Sequence, residues 1–87
     1  MNQPLITVIL PVYNSERYIA KALDSVFDQT YRPLDVVVIN DGSTDKTASV
    51  VSQYQQGELP LRYFYQPNAG PAASRNRGVA LAQGDLF

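Results

Sequence analysis

Apolar positions follow two rhythms that alternate along this chain. Residues 5–10 (Leu-Ile-Thr-Val-Ile-Leu) are almost continuously apolar and β-branched, which suits a strand covered on both faces in a parallel sheet. Pro11 has no N–H for a ladder, so regular pairing is expected to stop there. Next, Ile19, Ala22, Leu23, Val26 and Phe27 fall at i, i+3, i+4, i+7 and i+8, with Lys21, Asp24, Ser25 and Asp28 off that stripe. This predicts a helix with Ser15 as its N-cap and no continuation past Arg32, because Pro33 follows. Residues 34–40 repeat the buried-strand pattern. A second helix is predicted over roughly 45–55, capped by Thr44 or Ser43, with Asp45 in the first turn where the helix dipole favours negative charge. Ala48, Val51 and Tyr54 or Gln55 mark its inner side, and Gly57 is its stop signal. Residues 61–66 are aromatic-rich and partly alternating, a third strand with one wetter face. A loop over 67–71 leads into a third helix with Pro71 at its first position, running to about Gln83 with Gly84 at its end. Asp85, Leu86 and Phe87 read as the entry to a fourth strand.

Strands separated by helices of this length imply right-handed crossovers and a parallel sheet. The expected fold class is α/β, a three-layer α/β/α arrangement with a mostly parallel, Rossmann-like sheet. The 87 residues suffice for one small domain, and the pattern predicts that it is incomplete at the C-terminus. Open strand edges then predict self-association or marginal stability.

Composition narrows the chemistry. Seven basic and eight acidic side chains nearly balance, which argues against nucleic-acid binding through a basic face. There is no cysteine or histidine, so disulfides, Cys/His zinc sites and thiol or Ser–His catalysis are excluded within these residues. Acid–base work would fall to carboxylates, Lys or Tyr. The start, Met1-Asn2-Gln3-Pro4, lacks a basic leader region, and no run approaches the roughly 20 apolar residues that span a bilayer. A cytoplasmic location is expected.

Three segments could carry function. The run Asp41-Gly42-Ser43-Thr44-Asp45 puts a carboxylate at the carboxyl end of a buried strand, the edge where open α/β sheets bind ligands. Asp41 could accept bonds from ring N–H groups or ribose hydroxyls, or it could bond only the amides of its own turn. In Pro11-Val12-Tyr13-Asn14, the aromatic could stack on a base or pack on the first helix. From Asn68 to Gly78, small residues and two arginines open the third helix, a setting for anions. Arg75 and Arg77 are two apart and point to different faces, so one is expected at a ligand and the other solvated or paired. Alternatively the alanines pack on the sheet and both arginines stay at the surface. Two strand ends with polar and aromatic groups read as a nucleotide pocket. A Gly-x-Gly-x-x-Gly fingerprint and a P-loop are both missing.

Four blocks, in order over nearly the whole chain, carry a resemblance. They are residues 8–14 (Val-Ile-Leu-Pro-Val-Tyr-Asn), 25–31 (Ser-Val-Phe-Asp-Gln-Thr-Tyr), 38–45 (Val-Ile-Asn-Asp-Gly-Ser-Thr-Asp) and 68–78, from Asn68-Ala69-Gly70 to Ala73-Ser74-Arg75-Asn76-Arg77-Gly78. Together they resemble the N-terminal half of a family 2 glycosyltransferase with the A-type fold. The resemblance implies an inverting transferase that moves a sugar from a nucleoside diphosphate sugar, of UDP type, to a carbohydrate or lipid-linked acceptor. It also implies cell-envelope polysaccharide synthesis, at the inner face of the membrane for the intact protein. By position, Pro11, Val12 and Tyr13 line the base pocket, Glu16 and Asp41 hold ribose or base, and Arg75 lies near base and diphosphate. The family's divalent metal, Mn or Mg, is held by an Asp-x-Asp-like block. Gly84-Asp85-Leu86-Phe87 is the approach to that block, so no metal ligand or catalytic residue is expected in this segment. Two other readings compete. One is a non-catalytic nucleotide-binding module. The other is a phosphoacceptor domain of response-regulator type, which Asn14 and Gln66-Pro67 disfavour because they stand where acidic groups would be needed.

Overall fold

The computed structural model describes residues 4–28, 33–56 and 61–86. They form β1 (Ile6–Val12), α1 (Ile19–Phe27), β2 (Leu34–Asp41), α2 (Thr47–Gln55), β3 (Leu61–Gln66), α3 (Pro71–Leu81) and β4 (Asp85–Leu86). The strands make one sheet in the order β3-β2-β1-β4, and every pairing is parallel. The expected α/β architecture is present, with β1 and β2 at its centre.

Strand periodicity sorts the side chains into two layers. Val8, Leu10 and Val12 of β1, with Leu34, Val36 and Val38 of β2, meet Ile19 and Leu23 of α1 and Val51 of α2 in a single apolar core. The stripe read for α1 is the one buried. On α2 the inner residues are Thr47 and Val51 with Tyr54 beside them, whereas Ala48 and Gln55 are exposed.

The opposite face, under α3, is held differently. The only residues of α3 that are fully buried are Ser74 and Gly78, one turn apart. A Cβ at Gly78 would lie 2.4 Å from Ile9 Cγ2, so the missing side chain lets the helix sit directly on β1. Arg62 and Arg77 lie over the Phe64 ring, with guanidinium carbons 5.8 and 5.6 Å from its centroid. Such stacking covers the ring with guanidinium groups.

Four boundaries differ from the sequence reading. Pairing continues through Pro11, opposite Ile39. Among the described residues Pro11 pairs on its β2 side alone, and a proline without an N–H is tolerated in such a position. Ser15 does not cap α1 with its side chain. Its hydroxyl bonds the Tyr13 carbonyl (3.2 Å), while its own carbonyl accepts from Tyr18 and Ile19 (2.9 and 2.8 Å). α2 starts at Thr47, not at Asp45, and neither Ser43 nor Thr44 caps it. α3 begins at Pro71 as read but ends at Leu81, and Gly84 serves a close approach: a Cβ there would lie 2.4 Å from the Leu5 carbonyl oxygen. Gly57, Arg32 and Phe87 lie outside the described residues. No helix among the described residues is long and apolar enough to cross a membrane.

Candidate functional site

Parallel strands deliver three loops to one edge, and hydrogen bonds join them. Asn14 adopts φ 47°, in the left-handed region that asparagine tolerates better than most residues. This turn lets its N–H donate to Ser43 Oγ (2.9 Å) and its Oδ1 accept from the Thr44 N–H (2.8 Å). Ser15 N–H donates to Thr47 Oγ1 (2.8 Å), and Glu16 N–H donates to Asp45 Oδ2 (3.1 Å). The loop after β1 is thereby fastened to the loop after β2. Asp45 Oδ1 also accepts from the Thr47 N–H (2.9 Å), satisfying an orphan donor at the start of α2. Behind the loops, buried Asn40 accepts from the Ser43 N–H (3.0 Å) and donates to the Tyr63 hydroxyl (2.8 Å).

Asp41 joins the third loop. Its carboxylate is 4% exposed at the tip of β2. Oδ1 accepts from Gln66 Nε2 (2.9 Å) and the Ala69 N–H (2.8 Å). Oδ2 accepts from Asn68 Nδ2 (3.1 Å) and the Gly70 N–H (2.9 Å). About four acceptor positions exist on a carboxylate, so this one is filled. The sequence left open whether Asp41 bonds a ligand or its own turn. Its present partners are neither; they belong to the end of β3 and to the loop before α3. Gly42 beside it has φ 75°, and a Cβ there would stand 2.6 Å from the Asn68 nitrogen. Only glycine lets the second and third loops approach this closely.

The other sequence candidates are distributed along the same edge. Tyr13 is 53% exposed, and Pro11 and Glu16 are exposed too. Val12 points into the core, leaving only its backbone for a ligand. Arg75 is exposed and has no polar partner among the described residues, whereas Arg77 donates to the Tyr65 carbonyl (3.1 Å) and Gln66 Oε1 (3.3 Å). Asn14, Gln66 and Asn68 were not singled out from sequence. An asparagine directly after a strand end was the available signal for Asn14.

Three carboxylates have pKa values lowered from 3.8. For Asp41 the Gln66 amide is the main cause, joined by the Ala69 and Gly70 N–H groups against the opposing pull of burial. For Asp35 and Asp45 burial pushes upward. Arg62, Gln83 and Thr7 outweigh it at Asp35, and Thr47 and Glu16 outweigh it at Asp45. Each is ionised more readily in the folded chain, so the unfolded chain binds more protons as pH falls. The stability they contribute is complete above the unfolded value of 3.8 and is lost as pH drops through the lower folded values. Acid titration followed by circular dichroism is expected to show little change from neutrality to about pH 5 and cooperative loss below about pH 4.

Among the described residues no group of three or more His, Cys, Asp or Glu comes together that could hold a metal.

Comparison with known proteins agrees on one family. The profile described as Glycosyl transferase family 2 matches residues 7–87. An uncharacterized glycosyltransferase of Haemophilus influenzae is 42% identical over the whole chain, which spans 35% of that protein. Glycosyltransferase GlyA of Streptococcus pneumoniae is 44% identical over 92% of the chain, which spans 12% of that protein. Among solved structures, mannosyltransferase PcManGT from Pyrobaculum calidifontis, in complex with GDP-Man and Mn2+, superposes with TM-score 0.88 and 32% identity, over 97% of this chain and 26% of its own. TarS 1-349 of S. aureus in complex with UDP-GlcNAc gives TM-score 0.88 and 36% identity, over 94% of this chain and 25% of its own. The chain thus spans about a third or less of the proteins it resembles.

Proposed function

Because the chain belongs to glycosyltransferase family 2, we propose that the carboxyl edge of its sheet binds the nucleotide of a nucleoside diphosphate sugar, with UDP the preferred nucleotide. The observation that carries this reading is the Asp41 hub. A buried carboxylate spends four hydrogen bonds on fixing the loop 67–70 at the tips of β2 and β3, and a third loop is stitched beside it. A scaffold of that kind holds loop groups in place before a ligand arrives, which lowers the ordering cost of binding. Structural neighbours solved with GDP-Man, UDP-GlcNAc and UDP support the choice of ligand.

In this reading the residues take the following parts. The Tyr13 ring stacks on the base, with Pro11 and the Val12 backbone beside it. Asp41 forms the floor, where a base or ribose donor takes the place of the Asn68 or Gln66 side-chain amide on one oxygen. Glu16 faces the ribose, and Arg75 near the start of α3 faces the diphosphate. The intact protein transfers the sugar to an acceptor hydroxyl of a carbohydrate or lipid-linked molecule, with inversion. A carboxylate base takes the hydroxyl proton, the oxygen bonds the anomeric carbon from the opposite face, and the bond to the diphosphate breaks with its electron pair. No residue described here is assigned to that base or to a metal, so these residues alone bind nucleotide and do not transfer sugar.

Calorimetric titration of UDP into the chain tests the binding. A dissociation constant of about 0.1–1 mM is expected, with inorganic phosphate not competing at equal concentration. Phosphate binding as tightly as UDP would reduce the site to an anion patch, and turnover of UDP-GlcNAc by the chain would refute the division of labour.

A further inference from the structure

The opposite, amino-terminal edge of the sheet carries a polar cluster that nucleotide binding does not use. Asp35 of β2 sits at its centre with a side chain only 7% exposed. Its Oδ1 accepts from Arg62 Nε (2.9 Å). Its Oδ2 accepts from Arg62 Nη2 (3.0 Å), the Thr7 hydroxyl (2.9 Å) and the Gln83 N–H (3.1 Å). Thr7 Oγ1 in turn accepts from the Gly84 N–H (2.9 Å), and Arg62 Nη2 also donates to the Leu81 carbonyl (2.6 Å).

All of these bonds converge on the short connection from α3 to β4. The Leu81 carbonyl is one of those a helix end leaves without an internal partner, and Arg62 fills it. The Gln83 and Gly84 N–H groups go to Asp35 and Thr7, and the Asp85 N–H goes to the Leu5 carbonyl (2.8 Å). Polar backbone at four of five consecutive positions is thus tied to the base of the sheet. Among the described residues β4 pairs with β1 through Asp85 with Ile6 and Leu86 with Thr7. A slip of one residue would turn each side chain of a strand to the other face, so whatever pins these first pairings sets the register.

We propose that Thr7 and Asp35 are positioning residues that set the register of β4 on β1. Thr7 is suited to this because its hydroxyl donates to Asp35 and accepts from Gly84 at once, linking three segments through one oxygen. Arg62 neutralises the buried carboxylate and stops the end of α3 from moving independently. Because β4 runs parallel to β1, a register fixed at this edge also fixes the direction in which β4 heads toward the edge that carries Asp41.

Amide hydrogen exchange on the chain, read by NMR, tests this with Thr7→Val and Thr7→Ser. Valine keeps the β-branched shape but removes the hydroxyl, whereas serine keeps the hydroxyl and loses a methyl. In Thr7→Val the Gly84 amide is expected to lose at least about tenfold more protection than the β2 amides of Val37 and Val38, while Thr7→Ser keeps Gly84 protected in proportion to β2. The β2 amides report in the same spectra whether the variant is folded. Loss of Gly84 and β2 protection to the same degree would mean that Thr7 contributes only general stability. Unchanged Gly84 protection in Thr7→Val would mean that backbone pairing alone holds β4. Either result overturns the proposal.

Discussion

Asp41→Ala is expected to abolish measurable UDP binding, a loss of at least tenfold, and to lower the melting temperature of the chain. The substitution withdraws the acceptor for four donors at once. The Ala69 and Gly70 N–H groups lose their partner next to the first turn of α3, and a polar group deprived of its bond there must find water or move. Gln66 is released with them, and Asn68 keeps only its bond to the Asp41 main-chain carbonyl (3.0 Å), so the third loop is tied to β2 far less firmly. Asp41→Asn is not a mild version of this change. Its amide group would face two donors, turning two attractive contacts into repulsive ones. Calorimetry with UDP and thermal denaturation by circular dichroism read the two effects separately. Affinity unchanged within twofold in Asp41→Ala would remove Asp41 from the site.

Gly42→Ala is expected to be among the most destabilising single-methyl additions to this chain. Two independent effects add. A side chain at φ 75° is strained, by about 1–2 kcal/mol. The new Cβ would also stand 2.6 Å from the Asn68 backbone nitrogen and 3.0 Å from its Cα, so the third loop must shift as a unit. A total of about 2–4 kcal/mol is reasonable for overpacking combined with backbone strain. That is a large part of the roughly 4–13 kcal/mol that a domain of this size commands. Gly70→Ala provides the control. Its φ is 99°, but nothing lies within 4 Å of its added Cβ, so only the backbone strain of about 1–3 kcal/mol applies. Urea denaturation of both variants checks the order, and a smaller loss at Gly42 than at Gly70 would show that the packing of the two loops is looser than described.

Much of this fold could be read directly from the order of residues. β2 is buried on both faces and most of β1 is at least half-buried, and runs of Val, Ile and Leu announce such strands. The stripe on α1 is equally plain, because one apolar core lies beneath it. α3 was harder for a physical reason. It meets the sheet through Ser74, Gly78 and Arg77, which leans on Phe64, and none of these forms an apolar pattern that periodicity can detect. The ends of α1 and α2 were misplaced because Ser15, Ser43 and Thr44 look like local caps. The Ser15 hydroxyl instead turns back to the Tyr13 carbonyl, while the Ser15 N–H, the Ser43 hydroxyl and the Thr44 N–H serve partners about 30 residues away in sequence, Thr47 and Asn14. Asp41 shows the same limit at the candidate site. Its position at a strand end was legible, but the donors that fill its carboxylate come from beyond β3, and no local motif names them.

The most direct test of the account is to follow backbone amide resonances of the chain during titration with UDP. Shifts are expected to be largest at the three loops of the carboxyl edge, around Tyr13 to Glu16, Gly42 to Thr44 and Asn68 to Arg75, with the amino-edge amides of Gln83 and Gly84 unmoved. Shifts centred instead on the shallow groove of Lys21, Asp24 and Tyr54, or on the amino edge, would contradict a nucleotide site at the strand tips, as would no shift at all at millimolar UDP.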